Sequence, residues 1–219
     1  MPITSPDPRS ELSVAQALEA ALGLFSTQGF RATSMRQIAA ESGLSVGNLY
    51  HHFSNKEEIF ERLIDQYWEL VTDPRLRLNQ LFAKADFPED LEEVAGAIEE
   101  VVDAFKPYIL LVYVDVIEFE GRHIHAFYEG MAGRFRDTYG ERFRDRQAAG
   151  DFGEADPMVA VMVATRWFFY FYTVEKCFGV PMHFGMKPKE ATQEFIRLLR
   201  YGLLPRPGGE HTQDPAGPA

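Results

Sequence analysis

Apolar residues recur at intervals of three and four along nearly the whole chain, and nowhere do they alternate over a run bounded by hairpin turns. A spacing near 3.6 puts side chains on one face of a helix, whereas a strand needs a period of two, so the pattern predicts an all-α protein. Ala15, Leu18, Leu22 and Phe25 mark the inner face of a first helix over 11–28, capped by Ser10 or Ser13 and stopped at Gly29. Thr33 caps a short helix that turns Met35, Ile38 and Ala39 inward and ends at Gly43. Ser45 caps a second short helix whose Leu49 and Phe53 share a face. Asn55 with Glu58 opens a fourth helix that carries Ile59, Leu63, Tyr67 and Leu70 inward, and Asp73-Pro74 closes it. Longer helices are expected at about 75–85, 89–105, 107–120, 122–148, 156–179 and 188–203.

Two short capped helices joined by a glycine-containing turn, with a longer helix on either side, have the arrangement of a helix-turn-helix DNA reader. The second short helix must be narrow at its front to enter a major groove, and Ser45, Val46, Gly47 and Asn48 supply that front. Tyr50 and His51 lie one turn further on, where a phenol and an imidazole can donate to phosphates flanking the groove. The opposite reading, an ordinary helical hairpin, leaves the narrow glycine-containing helix and its ordered polar residues without a reason.

The stretch FSTQGFRATSMRQIAAESGLSVGNLYHHFSNKEEIF closely resembles the DNA-binding domain of the TetR family of bacterial regulators, over about residues 12–70. The distinctive parts are the G-F-x-x-T-S opening from Gly29 to Ser34, the I-A-A-E-S-G-L-S run from Ile38 to Ser45, and G-N-L-Y-H-H-F-S-N-K-E from Gly47 to Glu57. The resemblance implies that Thr33 and Ser45 bind phosphates at helix N-termini and that Arg36 reaches a base or a phosphate. It makes Asn48 the main base reader and Tyr50, His51 and Lys56 a phosphate clamp, with His52 facing solvent. It also implies a homodimer reading two halves of a near-palindromic double-stranded DNA operator. The expected organisation is a three-helix DNA-binding domain at 10–55, a connecting helix at 56–73, an effector-binding and dimerisation domain at 74–204, and a disordered Pro- and Gly-rich tail at 205–219.

A formal net charge of −11 over 219 residues argues against a nucleic-acid partner, because phosphate binding normally leaves a basic footprint. The objection is met locally: between Arg31 and Lys56 stand three basic residues against the single acid Glu41, with His51 and His52 besides. Glu57, Glu58 and Glu61 are expected behind the groove-facing surface.

The remainder has no motif of comparable strength, but it holds most of the 18 Phe and 9 Tyr. Phe105, Tyr113, Ile117, Phe127, Met131, Phe135 and Tyr170 stand at helical spacing as candidates for a hydrophobic or aromatic small-molecule effector, and the same residues also suit plain core. Arg166 can pair with an effector carboxylate or, preferably, with an Asp or Glu of the chain. On the last two helices, Ala160, Ala164, Trp167 and Phe171, with Phe195, Ile196, Leu198, Leu199 and Leu203, give apolar surfaces for a four-helix bundle between subunits. Ligand-responsive repression is the leading expectation. Ligand-enhanced DNA binding remains open beside it, as does small-molecule binding with a vestigial helix-turn-helix.

The apolar stretch 158–178 is long enough to cross a bilayer, but Arg166, Glu175 and Lys176 interrupt it, so a buried helix is expected rather than a membrane span. The single cysteine, Cys177, suits a reducing compartment, and no export signal is visible, so a cytoplasmic home is expected. His123 and His125 are two apart, a poor spacing for sharing a metal on one helix, and neither metal nor cofactor is expected. With no Gly-rich phosphate loop, paired catalytic acids or nucleophile elbow, the chain does not read as an enzyme.

Overall fold

The structure is a computed structural model that describes residues 8–84, 86–152 and 155–201; the side chains of Pro8, Ala126 and Phe127 are also outside it. The tail expected at 205–219 and the side chain of Phe127 therefore lie outside the described residues. Among the described residues ten α-helices run α1 (Pro8–Gln28), α2 (Met35–Ser42), α3 (Val46–His52), α4 (Lys56–Thr72), α5 (Arg77–Lys84), α6 (Leu91–Ala104), α7 (Lys106–Phe119), α8 (His125–Ala148), α9 (Pro157–Tyr172) and α10 (Pro188–Tyr201). No strand occurs among the described residues.

Local chemistry accounts for most of the boundaries, with some corrections. α1 is already helical at Pro8, so neither Ser10 nor Ser13 is its cap. Its inner face is Ala17, Ala21 and Phe25, while Ala15 is exposed and Leu18 and Leu22 are half-buried. Gly29 at φ +85 ends it. The cap of α2 is Ser34, not Thr33: Ser34 Oγ accepts the N–H of Gln37, and Gln37 Oε1 accepts the N–H of Ser34. At α4, Asn55 Oδ1 accepts the N–H of Glu58, but Glu58 returns its carboxylate to the N–H and hydroxyl of Ser54 instead of to Asn55. The helix expected at 156–179 is α-helical only to Tyr172 and continues as one π-helical turn, Thr173–Cys177.

Two clusters of buried side chains form. The first joins Ala17, Ala21 and Phe25 of α1 to Ile38, Leu49 and Phe53, and to Ile59, Phe60 and Leu63 of α4. Leu111 and Phe119 of α7 close the same cluster, so its floor comes from beyond residue 74. The second joins Tyr67 at the far end of α4 to α6, α8, α9 and α10 through Leu91, Ile98, Tyr139, Phe143, Phe168, Phe171 and Ile196. α4 is thus common to both, and each fully buried Phe or Leu contributes about 1.5–3 kcal/mol.

The apolar helix 157–177 passes a length and composition test for a membrane span, with 44% of that window buried inside the protein. Its flanking charges are paired: Lys176 Nζ lies 2.8 Å from Glu99, and Glu175 accepts the backbone N–H of Met182 at 3.0 Å.

Candidate nucleic-acid interface

α3 shows two chemically different faces. Leu49 and the following Phe53 are fully buried and seat the helix, whereas Ser45, Val46, Gly47, Tyr50 and His51 are exposed and Asn48 is half-buried. Ser45 Oγ accepts the N–H of Asn48 at 3.1 Å, which starts the helix and leaves its other first-turn N–H groups for an external acceptor. A Cβ added at Gly47 would meet nothing within 4 Å, so no packing inside the chain calls for glycine there.

The other residues of the expected interface divide. Arg36 is exposed on α2. Thr33 is buried at 2% exposure, and its hydroxyl donates to the carbonyl of Gly29 at 2.8 Å while accepting from Gln28. Lys56 Nζ donates to the carbonyls of Phe30 and Thr33, and burial, against the opposing charge of Glu118, lowers the pKa of its ammonium. In this arrangement Thr33 and Lys56 brace the turn before α2, and Ser34 is the exposed hydroxyl at that helix start.

Glu118 was not among the expected residues. Its carboxylate accepts the N–H groups of Phe30 at 3.0 Å and Arg31 at 2.9 Å, and a Cβ on Gly29 would come within 2.9 Å of it. A contact 88 residues away leaves no local signal; Ser34, by contrast, was legible from Gln37 three residues on. Of the acids in the first turns of α4, Glu57 pairs with Arg122, Glu58 with Ser54, and Glu61 faces His123.

The expected effector contacts do not form one group. Arg166 donates to Met131 Sδ at 3.8 Å, a sulfur rather than the acid preferred from the sequence. Tyr113 packs edge-on to Phe178, and its phenol is pushed above its ordinary pKa by burial and by the phenols of Tyr128 and Tyr170. Tyr128, which the sequence reading missed, is coupled electrostatically to Tyr113 and to Arg166, and Tyr170 to Tyr113. Phe105 packs against Tyr67, and Phe135 against Phe82 and Tyr139. Ile117 is 78% exposed and outside that group. Two surface grooves lie elsewhere, one between α5, α6 and α8 beside Asp90 and Arg142, the other between α1, α4 and α7 beside Leu18 and Gln66. The Cys177 thiol is raised by burial, so Lys176 does not activate it.

Among the expected dimer residues, Ala164 and Phe171 are buried in the chain's own core and have no surface to offer a partner, because the inward face of α9 packs on α6. Trp167 stacks on Phe195 with ring centres 3.9 Å apart, and Ala160 and Leu199 are half-buried. Leu198 is exposed, as are Val159, Val163 and Tyr201.

The sequence profile described as "Bacterial regulatory proteins, tetR family" matches residues 17–63. The HTH-type transcriptional regulator YfiR of Bacillus subtilis is 31% identical over 160 residues, which take in 70% of this chain and 73% of the relative. The HTH-type transcriptional repressor KstR2 of Mycobacterium tuberculosis is 45% identical over 90 residues, 41% of this chain and 39% of its own length. Among solved structures, a bacterial regulatory protein in the tetR family from Rhodococcus RHA1 superposes with a TM-score of 0.58 at 20% identity, covering 86% of this chain and 95% of that one. The fatty acid degradation regulator FadR from Bacillus halodurans gives 0.57 at 16% identity over 93% and 100% of the two chains. At such identities these two likenesses are of fold.

Proposed function

Because the chain belongs to the TetR family of bacterial regulatory proteins, we propose that it is a ligand-responsive transcriptional repressor that reads a near-palindromic DNA operator as a homodimer. The observation that carries this is α3: its apolar side is locked into the core, and its exposed side presents Ser45, Val46, Gly47, Tyr50 and His51. Asn48 reads a base edge, Arg36, Tyr50 and His51 hold phosphates, and the free N–H groups at the starts of α2 and α3 add to them. Thr33 and Lys56 serve the interface indirectly, by fixing the turn that aims α2. With few cations on this face, affinity for random DNA is low and falls with salt.

In the dimer, α9 and α10 pack against their mates through Val159, Val163, Trp167, Leu198 and Tyr201, and the two α3 helices enter major grooves about 34–36 Å apart. A hydrophobic or aromatic effector docks at Tyr113, Tyr128, Met131, Arg166 and Tyr170, and its differential affinity for two spacings of the recognition helices supplies about 1–3 kcal/mol of coupling. A bacterial regulator of this kind meets its operator in the cytoplasm. Titration of the operator with Asn48→Ala and Tyr50→Ala tests the reading: both variants lose affinity while remaining folded, and unchanged affinity in both removes α3 as the recognition helix.

A further inference from the structure

We propose that Glu57, Glu61 and His123 form a site for a divalent transition-metal cation, with Zn2+ as the representative ion, which fastens the start of α4 to the turn between α7 and α8. Glu57 and Glu61 stand one turn apart on the same face of α4, and His123 reaches them from the turn before α8. One ligand atom from each of the three lies within 4.8 Å of the others.

The surroundings of His123 suit a cation as its partner. Its side chain is 10% exposed, and its Nδ1 is held by Asp115, whose own side chain is fully buried and whose other oxygen faces the N–H of Ile124 at 3.3 Å. With Asp115 accepting the Nδ1–H, the ring in its neutral form presents the Nε2 lone pair at its other end. That Nε2 is buried without a hydrogen bond and lies 3.6 Å from Glu61 Oε1. Two carboxylates and an imidazole lone pair thus converge with acceptors only. Arg122 reaches Glu57 at 3.2 Å from the solvent side and does not supply a donor to Nε2.

Asp115, His123 and a cation would form the carboxylate–histidine–metal arrangement in which a second carboxylate sets the tautomer and orientation of the ligand. Donors around a tetrahedral Zn2+ stand roughly 3.4 Å apart, so the glutamates must close in by about 1 Å. Both are partly exposed and can rotate to do so. One nitrogen with two carboxylate oxygens suits zinc and its first-row neighbours better than Ca2+ or Mg2+. The unfavourable spacing of His123 and His125 does not matter here, because the partners of His123 come from α4.

Since α4 follows α3 after three residues, a cation here would set how the recognition helix is held against the larger domain. That consequence rests on the DNA-reading function; cation binding does not. The test is a zinc titration of the tag-free, chelator-stripped full chain against a competing zinc indicator, with circular dichroism confirming the fold. One Zn2+ per chain is expected, with affinity at least tenfold lower in both His123→Ala and Glu61→Gln, about 10–100-fold lower in Asp115→Asn, and unchanged in His125→Ala. Absence of stoichiometric zinc binding, or wild-type affinity in either His123→Ala or Glu61→Gln, overturns the proposal. Glu61 is exposed, so its variant reads the site without threatening the fold.

Discussion

Lys56 and Phe30 are joined twice: the ammonium of Lys56 donates to the carbonyl of Phe30 at 2.7 Å and lies 4.1 Å from the centre of the same residue's ring. The carbonyl of Thr33 takes a second bond from that ammonium, and on the other side Glu118 of α7 receives the N–H groups of Phe30 and Arg31. The turn between α1 and α2 is therefore gripped from α4 and α7 at once. Replacing Lys56 by Met keeps most of the side chain's length but takes the ammonium from both carbonyls, leaving that of Phe30 with only the N–H of Thr33. Urea unfolding should show a loss of about 1–2 kcal/mol, and stability equal to wild type would mean that the tie contributes nothing.

Gly47 separates packing from recognition. Nothing inside the chain lies within 4 Å of a Cβ at that position, so Gly47→Ala should leave thermal stability unchanged or slightly higher, given the helix propensity of alanine. Operator affinity should nonetheless fall at least tenfold, because the added methyl stands where the groove wall must approach. A variant with normal affinity would show that the front of α3 is not in close contact with DNA.

Asp90 gives the protein a titration of its own. Both its carboxylate oxygens are buried without a hydrogen bond, and burial, with Asp86, Glu93 and Glu89 nearby, pushes its pKa up to about 6. An unfolded aspartate titrates near about 3.9, so between these values the folded chain holds a proton that the unfolded chain has lost. The contribution to stability is complete below about pH 4 and is lost as the pH rises through 6. Asp90→Asn, which carries no charge, should melt above wild type at pH 7.5, with the gap closing toward pH 4.5. A gap independent of pH would contradict the assignment.

Val163 tests the subunit interface. It is 48% exposed on α9 while its neighbour Ala164 is fully buried in the chain's own core. Val163→Asp places a charge on the proposed seam without touching that core, and sedimentation should shift from dimer toward monomer. A variant as dimeric as wild type would move the interface elsewhere.

The helical class and most helix ends were legible because periodicity, caps and terminating glycines act over a few residues, as at Ser45 and Gly43. The two faces of α3 were legible for the same reason. Thr33 was misread as a cap because Ser34 beside it competes for the same role, and Gln37 decides between them. Lys56 reads locally as a free cation at a helix start, and only the fold brings the carbonyls of Phe30 and Thr33 to it. Glu118 and Asp115 act across long separations, where one sequence has no periodic signal. On α9, apolar residues run almost all the way round the helix, so its pattern could not say that Ala164 and Phe171 face inward and Val163 outward.

Whether α3 reads a two-fold-related DNA sequence is decided by selection of bound DNA from a random duplex pool with the 219-residue chain. An inverted-repeat consensus should be enriched, with half-sites about 10–10.5 base pairs apart or a multiple of that spacing, and Asn48→Ala should lose preference at defined positions within each half. A pool that yields no consensus, or the same consensus at the same affinity with Asn48→Ala, would contradict the account.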